Sequence, residues 1–275
     1  MTEELHNKLK QKALNIRRDI IEMLYAAGSG HAGGSLSAVE ILVYLYECQM
    51  KTDPENPSWD NRDRFIASKG HCAPALYAVL AQRGFFDKEL LNTLRQLGGM
   101  LQGHPDMLKT PGVDLSAGSL GLGLSAGLGF ALAAKLDNKD FRTYVLMGDG
   151  ELNEGQVWEA AMAASKFQAD NLIAVIDNNG VQLDGAVSDI MPLGDIGAKF
   201  SAFGWNVIKA GGHDFLSLDS AFKSINKADS PSVIIAETIK GKGIDFMENK
   251  SEWHGKTIDE ASYKIAKAVL YENDT

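Results

Sequence analysis

Leu5, Leu9, Ala13, Ile16, Ile20 and Leu24 recur at spacings of three and four. That is one stripe of a helix, so residues 3–27 are expected to be helical and to stop at Gly28-Ser29-Gly30. A second helix is expected from Ser37, where Ser37 and Glu40 fit a capping box before Ile41-Leu42-Val43. Short apolar runs predict strands at Arg64–Ser68, Thr143–Met147, Leu172–Ile176 and Ser232–Thr238, with Asn206–Lys209 extended. Between them, helices are expected at Cys72–Gln82, Gln156–Phe167, Asp195–Phe203, Phe215–Lys227 and Thr257–Tyr271. Leu124–Leu136 is small, apolar and free of proline, which predicts a buried helix. Apolar strands alternating with helices indicate an α/β fold, a parallel sheet with helices on both faces. No repeat or linker interrupts the pattern, so residues 1–275 are read as one domain.

The composition narrows the partners. With a net charge of −9, the chain lacks the broad positive field that nucleic acid or an anionic membrane would need. Any phosphorylated ligand must then be held locally, by backbone N–H groups, histidines or a metal. The two cysteines, Cys48 and Cys72, form no metal or redox motif, and a reducing cytoplasmic setting is expected. The opening MTEELHNKLKQKA is polar, and no stretch approaches the ~20 apolar residues of a membrane span.

Gly148-Asp149-Gly150 follows one predicted strand, and Asp177-Asn178-Asn179-Gly180-Val181 follows the next. Thirty positions separate Asp149 from Asn179, about one strand–helix–strand unit. Both loops should therefore lie at carboxyl ends of parallel strands, where open α/β sheets bind ligands. Asp149 offers a carboxylate, Asn179 an amide oxygen and Val181 a backbone carbonyl. Three such oxygens suit Mg²⁺ and leave room for diphosphate oxygens and water. The glycines beside Asp149 allow close approach of phosphate, and a helix beginning near Gly155 adds its positive end. Either loop alone would read as an ordinary turn; the pair, at this spacing, points to a metal–diphosphate site.

The segment GDGELNEGQVWEAAMAASKFQADNLIAVIDNNGVQLDG, residues 148–185, resembles the thiamine-diphosphate motif, and its ELNEGQVWEA interior resembles transketolases. GHAGGSLSAVEIL and DRFIASKGHCAPALYAVLAQRGFF resemble two further transketolase signatures, and GHPD and WHG its other histidine loops. LSAGSLGLGLSAG, residues 115–127, is neither a Rossmann fingerprint nor a P-loop. It resembles the transketolase loop under the thiazolium, with Leu122 where the family commonly has glutamine.

The resemblance implies the diphosphate-binding (PP) module fold, with thiamine diphosphate as cofactor. Mg²⁺, with Ca²⁺ or Mn²⁺ as substitutes, is implied on Asp149, Asn179 and the Val181 carbonyl. Gly150, Asn179, His71 and His254 are implied at the diphosphate, and Gly118, Ser119 and Leu120 at the rest of the cofactor. His31 and His254 are implied beside the reacting carbonyl, and His104 on the donor's hydroxyls. Clustered imidazoles suit proton movement on sugar hydroxyls near neutral pH. Glu154 is implied in an acidic network linking paired sites. Glu151 is read as an acid favouring a helix N-terminus. His213 is read as structural, with Asp214 as an N-cap; His6 is given no role.

The resemblance covers this chain but only the first part of a full transketolase. The pyrimidine-binding and C-terminal domains are expected on a partner subunit, in an α₂β₂ assembly. Residues 248–275 read as a finished helical end, which favours a natural two-chain enzyme. The implied reaction moves a two-carbon ketol unit from a ketose phosphate to an aldose phosphate, as in pentose phosphate metabolism. Two alternatives stay open: a related thiamine-diphosphate enzyme, for instance one for an apulose- or sulfosugar-type phosphate, and a non-catalytic regulatory half-protein.

Overall fold

The computed structural model describes residues 1–225 and 229–271. Helix α1, Glu3–Ala27, begins where Thr2 accepts the Leu5 N–H. It ends at Gly28, whose left-handed φ of 62° turns its own N–H onto the Tyr25 carbonyl. Leu9, Ala13, Ile16, Ile20 and Leu24 are buried, as the stripe required.

Among the described residues, five strands form one all-parallel sheet: β1 Arg64–Ala67, β2 Thr143–Gly148, β3 Leu172–Asn178, β4 Asn206–Gly211 and β5 Ser232–Glu237. The order is β1-β2-β3-β5-β4, so the last strand inserts between its two predecessors. Alternate residues serve opposite layers. Tyr144, Leu146, Ile173, Val175 and Ile234 pack with the buried residues of α1, of α3 (Val39–Tyr44), of α4 (Ala73–Arg83), of α9 (Phe215–Lys223) and of the C-terminal helix Glu260–Tyr271. Val145, Met147, Ala174, Ile176, Val233 and Ile235 pack with α5 (Gly123–Leu136), α6 (Gly155–Lys166) and α8 (Ile196–Ala202). Burial on both faces explains why the strands read as unbroken apolar runs. The register pairs Gly148 with Asp177, Asp177 with Ala236 and Ala236 with Ala210. The carboxyl ends of four strands therefore lie level, and their loops share one edge.

Three expectations are corrected. No capping box forms at Ser37: helix α2 already runs over Ala32–Leu36, Ser37 is its C-cap, and its hydroxyl reaches Asp177. Helix α5 is buried on one side only; Leu124, Gly127, Leu128, Ala131 and Ala134 face the core, while Leu136 is 82% exposed. Helix α9 stops at Lys223, and the expected end at Lys227 lies outside the described residues. The other elements agree with expectation to within a few residues at their ends.

A buried Arg17–Glu40 ion pair, joined by His213, ties α1 and α3 to the segments that follow β4 and β5. Arg17 in α1 donates two hydrogen bonds, of 2.6 and 2.9 Å, to the Glu40 carboxylate. His213 Nδ1 lies 2.7 Å from the same carboxylate, and its Nε2 accepts the Ile239 N–H at 2.8 Å. Nε2 is thus the acceptor and Nδ1 carries the proton, so His213 is structural, as expected. Asp214 caps α9. Burial pushes the Glu40 carboxyl up, but the Arg17 charge and the His213 hydrogen bond outweigh it and hold it at about 2. Its folded value lies below the unfolded one, so its stabilisation is full above about pH 4.5 and fades as pH falls toward 2. Glu40→Gln should cost roughly 3 kcal/mol at pH 7, measured by urea unfolding. That difference should shrink between pH 4.5 and 2; a pH-independent difference would refute the assignment.

Candidate active site

Each expected site residue is positioned by a different element. His31 precedes α2, and His71 sits in the single turn Gly70–Cys72 after β1. His104 lies in a loop whose Gln102 and His104 carbonyls both accept from Tyr77 OH, at 2.9 and 3.0 Å. His254 ends the short turn Ser251–His254. Distant in sequence, the four rings form one cluster. The centroid of His31 lies 5.7 Å from that of His71, 5.9 Å from that of His104 and 5.4 Å from that of His254; His71 and His254 are 4.8 Å apart. Gly34 makes room for this cluster, since a Cβ there would come within 2.8 Å of the His71 ring.

A cavity of about 270 Å³ opens beside the rings. Its lining includes His71 and His254, both loops at the strand ends, Leu120 and Glu154, and Lys69 and Lys240. A larger cavity of about 390 Å³ lies on the other side of the same loops, toward Val187, Leu193 and Ile196; no histidine lines it.

The Asp149 carboxylate joins the two loops, accepting N–H donors from Gly150 at 2.7 Å and from Gly180. Burial, then the nearby Asp177 charge, pushes its carboxyl up to about 6. Asn179 Oδ1 accepts the Val181 N–H at 3.1 Å. The Val181 carbonyl accepts from Lys240 Nζ at 2.9 Å. Among the described residues, no group of three or more His, Cys, Asp or Glu side chains is arranged to hold a metal. The expected set is of another kind, with one carboxylate, one amide and one carbonyl. Gly118 and Ser119 are exposed at the mouth, with Gly118 close to the His104 ring. Glu154 is exposed in this chain, as is Leu122.

All four imidazoles are neutral at pH 7. Burial, then the charges of Arg95, His104 and Lys240, lowers His31 to about 4. Burial, then Lys240, His31 and Lys69, lowers His254 to about 3. Burial and Lys69 carry His71 well down, and burial and Arg95 lower His104. Lys240 Nζ lies 3.1 Å from His254 Nδ1, so the neutral ring keeps its proton on Nε2. Lys240 is itself lowered to about 8 by burial, then by Lys69, and stays cationic at pH 7. A neutral imidazole both donates and accepts, which suits it to hold sugar hydroxyls.

Buried charged groups outside the expected set shape the site. Glu151 does lie in the first turn of a short helix, Gly150–Asn153, but it is buried and does more than favour that turn. It accepts from Ser68 Oγ, from the Gly121 N–H at 2.8 Å and from the Gly148 N–H at 3.1 Å, pinning the Gly-rich loop to the loop after β2. Lys69 and Asp177 form a buried ion pair. Asp177 also accepts from Ser37 Oγ at 2.5 Å and from Thr238 Oγ1, while Lys69 donates to the Gly34 carbonyl at 2.9 Å. The available signals were a lysine just before the His71 loop, an aspartate just before Asn-Asn, and the Lys-Gly-Lys-Gly run after β5.

The thiamine-diphosphate-binding domain of transketolases matches residues 9–273. The chain belongs to the transketolase family. It is 46% identical over 263 residues to one chain of the 6-deoxy-6-sulfo-D-fructose transketolase of a Clostridium species, covering 95% of this chain and 96% of that one. It is 43% identical over 257 residues to one chain of the apulose-4-phosphate transketolase of Phocaeicola vulgatus, covering 93% and 91%. The solved transketolase of Campylobacter jejuni superposes with a TM-score of 0.91 at 34% identity, over 98% of this chain but 43% of that one. The fold is thus that of the transketolase N-terminal thiamine-diphosphate domain.

In this transketolase domain the ion pair is a structural support of the site. Lys69→Met leaves Asp177 buried without its cation and should cost about 3–5 kcal/mol in urea unfolding. Adding Asp177→Asn to it should recover part of that loss. Equal stability of Lys69→Met and wild type would contradict the assignment.

Proposed function

We propose that this chain is the cofactor-binding half of a two-chain transketolase. It would move a two-carbon ketol unit from a ketose phosphate to an aldose phosphate. The observation that carries the reading is a cluster of four neutral imidazoles, two of which, His71 and His254, line one cavity with the Asp149–Asn179–Val181 loops. Histidines for sugar hydroxyls and oxygens for a hard cation are the parts that this reaction needs side by side.

The residues present fit the implied groups. Among the described residues, Gln182 Nε2 and His31 Nδ1 are buried polar atoms without partners, beside the Asp149 loop and within the ring cluster. Asp149, raised to about 6, would be held ionised by a bound Mg²⁺, which Asn179 and the Val181 carbonyl would share. Gln182, His71 and the N-terminus of α6 offer donors to a diphosphate, and Lys240, its own donors spent on Val181, Gln182 and His254, adds positive charge. Gly118, Ser119 and Leu120 would flank the rest of the cofactor. Thiamine diphosphate supplies carbanion stabilisation for breaking and making the carbon–carbon bond. The chain's own part is to orient and to hold protons. His254 offers Nε2–H to a substrate oxygen, and His31 Nδ1 stands ready for a hydroxyl. His104 holds the donor's hydroxyls.

A partner carrying the pyrimidine-binding domain, in an α₂β₂ assembly, agrees with relatives of matching length that are named as subunits. Exposed apolar side chains on α5 and α6, including Leu136 and Met162, support an assembled state. Glu154, exposed at the cavity, is free to meet that partner. A cytoplasmic setting accords with two free cysteines, and no helix among the described residues is long and apolar enough to cross a membrane.

Reconstitution tests the proposal. With Mg²⁺ and thiamine diphosphate, the chain alone should leave xylulose 5-phosphate and ribose 5-phosphate unchanged, and the chain with its partner should turn them over. Robust turnover by the chain alone would overturn the two-chain reading. Asp149→Ala should abolish metal-dependent cofactor binding, read by calorimetry on the assembled pair; unchanged affinity would count against the metal site.

A further inference from the structure

The Gly-rich segment hangs from the rest of the chain at few points. The Ala117 N–H donates to the Pro105 carbonyl at 3.0 Å. Past it, Gly118, Ser119 and Leu120 are exposed, and among the described residues their N–H groups find no protein acceptor. The chain then dips inward at Gly121, which is buried and holds a left-handed φ of 83°. Its N–H donates to Glu151 Oε1 at 2.8 Å. The other oxygen of that carboxylate accepts the Gly148 N–H at 3.1 Å, one residue before Asp149. Ser68 Oγ, just past β1, also donates to Oε1. Close packing surrounds this anchor. A Cβ at Gly123 would come within 2.3 Å of the Ser68 side chain, and one at Gly121 within 2.6 Å of Glu154 Cβ. One buried carboxylate, 3% exposed, therefore sets the Gly-rich segment against the exit of β2.

We infer that Glu151 is a positioning residue for the cofactor, fixing Gly118–Leu120 relative to the Asp149 loop so that one ligand can touch both. The inference rests on the cofactor-binding reading above, in which the Asp149 side takes the diphosphate and Gly118–Leu120 the rest of the molecule. Two loops that grip opposite ends of one ligand bind it well when their spacing is set beforehand; ordering them on binding costs affinity. A carboxylate suits this task, because both of its oxygens accept and neither end donates. An amide of the same shape does not. Its nitrogen must turn toward a group that can accept, and of the three partners only the Ser68 hydroxyl can. The oxygen then stays with Gly148, and the Gly121 N–H loses its acceptor. The Asp149 side has support of its own: Gly148 pairs with Asp177 across the sheet, and the Asp149 N–H donates to the Asp177 carbonyl at 3.2 Å.

The test uses the complex of this chain with its partner, in Mg²⁺, with calorimetric titration of thiamine diphosphate and, separately, of inorganic diphosphate. Glu151→Gln should weaken thiamine diphosphate roughly ten- to hundredfold, the loss expected for a hydrogen bond to a charged group. Inorganic diphosphate, which reaches only the Asp149 side, should weaken less than about threefold. Ser68→Ala keeps an acceptor for both N–H groups and should change either affinity less than about threefold. In the cofactor-free complex, amide hydrogen exchange over residues 115–124 should be faster in Glu151→Gln than in wild type. Gly121→Ala disturbs the same anchor from the loop side, through its φ and the Glu154 contact, and should give the same selective loss. It carries the test if Glu151→Gln does not assemble. Equal weakening of both ligands would overturn the inference, because Glu151 would then support the fold in general. Unchanged thiamine diphosphate affinity in Glu151→Gln, or unchanged exchange, would overturn it as well. Should the wild-type complex bind neither ligand, the cofactor-binding reading falls, and this inference with it.

Discussion

A single buried charge pair organises the working edge of this molecule. Lys69 and Asp177 are 108 positions apart, and almost none of either side chain reaches solvent. Two charges removed from water are costly unless each finds partners. The surroundings meet that demand: Ser37, Thr238 and the Gly34 carbonyl complete the hydrogen bonding. Those partners come from α2 and its exit, the end of β1, the end of β3 and the exit of β5. The pair is therefore a junction of four chain segments. His31, His71, Asn179 and Lys240 each lie within a few residues of it along the chain, so the site inherits its geometry.

The electrostatics of the site follow from that junction. Lys69 and Lys240 place two positive charges under a ring of imidazoles, and with burial they keep the rings neutral. At the loop after β2, burial and then the Asp177 charge raise the Asp149 carboxyl. The edge thus separates a positive floor from a carboxylate-bearing rim. That separation is what a ligand made of diphosphate and a hard cation needs. Glu151 adds rigidity: through Ser68, Gly121 and Gly148 it locks the Gly-rich loop against the loop after β2. The Arg17–Glu40–His213 group does similar service beyond the carboxyl ends of β4 and β5, tying α1 to the segment after β5.

Much of the fold and part of the site can be read along the chain. The helical stripe of α1, the apolar runs of β2, β3 and β5, and the two loops after β2 and β3 are local patterns. Each depends on residues only a few positions apart, so each survives in one dimension. The histidines were identifiable because their glycine-bearing loops resemble a family's. Their meeting at distances of 4.8–5.9 Å was implied by that resemblance and not by any spacing in the sequence.

The sequence by itself determined the class of fold, the strands and the oxygen donors at their ends, because burial and turn chemistry act over short spans of chain. Tertiary structure alone decided that β5 enters between β3 and β4, that Ser37 bonds to Asp177 instead of capping a helix, and that α5 leaves one side uncovered. It also decided that Glu151 is a buried clamp and that Lys69 and Lys240 set the charge of the site. All of these turn on which distant groups share a dry, crowded space, where an unpaired polar atom is costly. A partner 30 to 140 positions away leaves no periodic trace in a sequence.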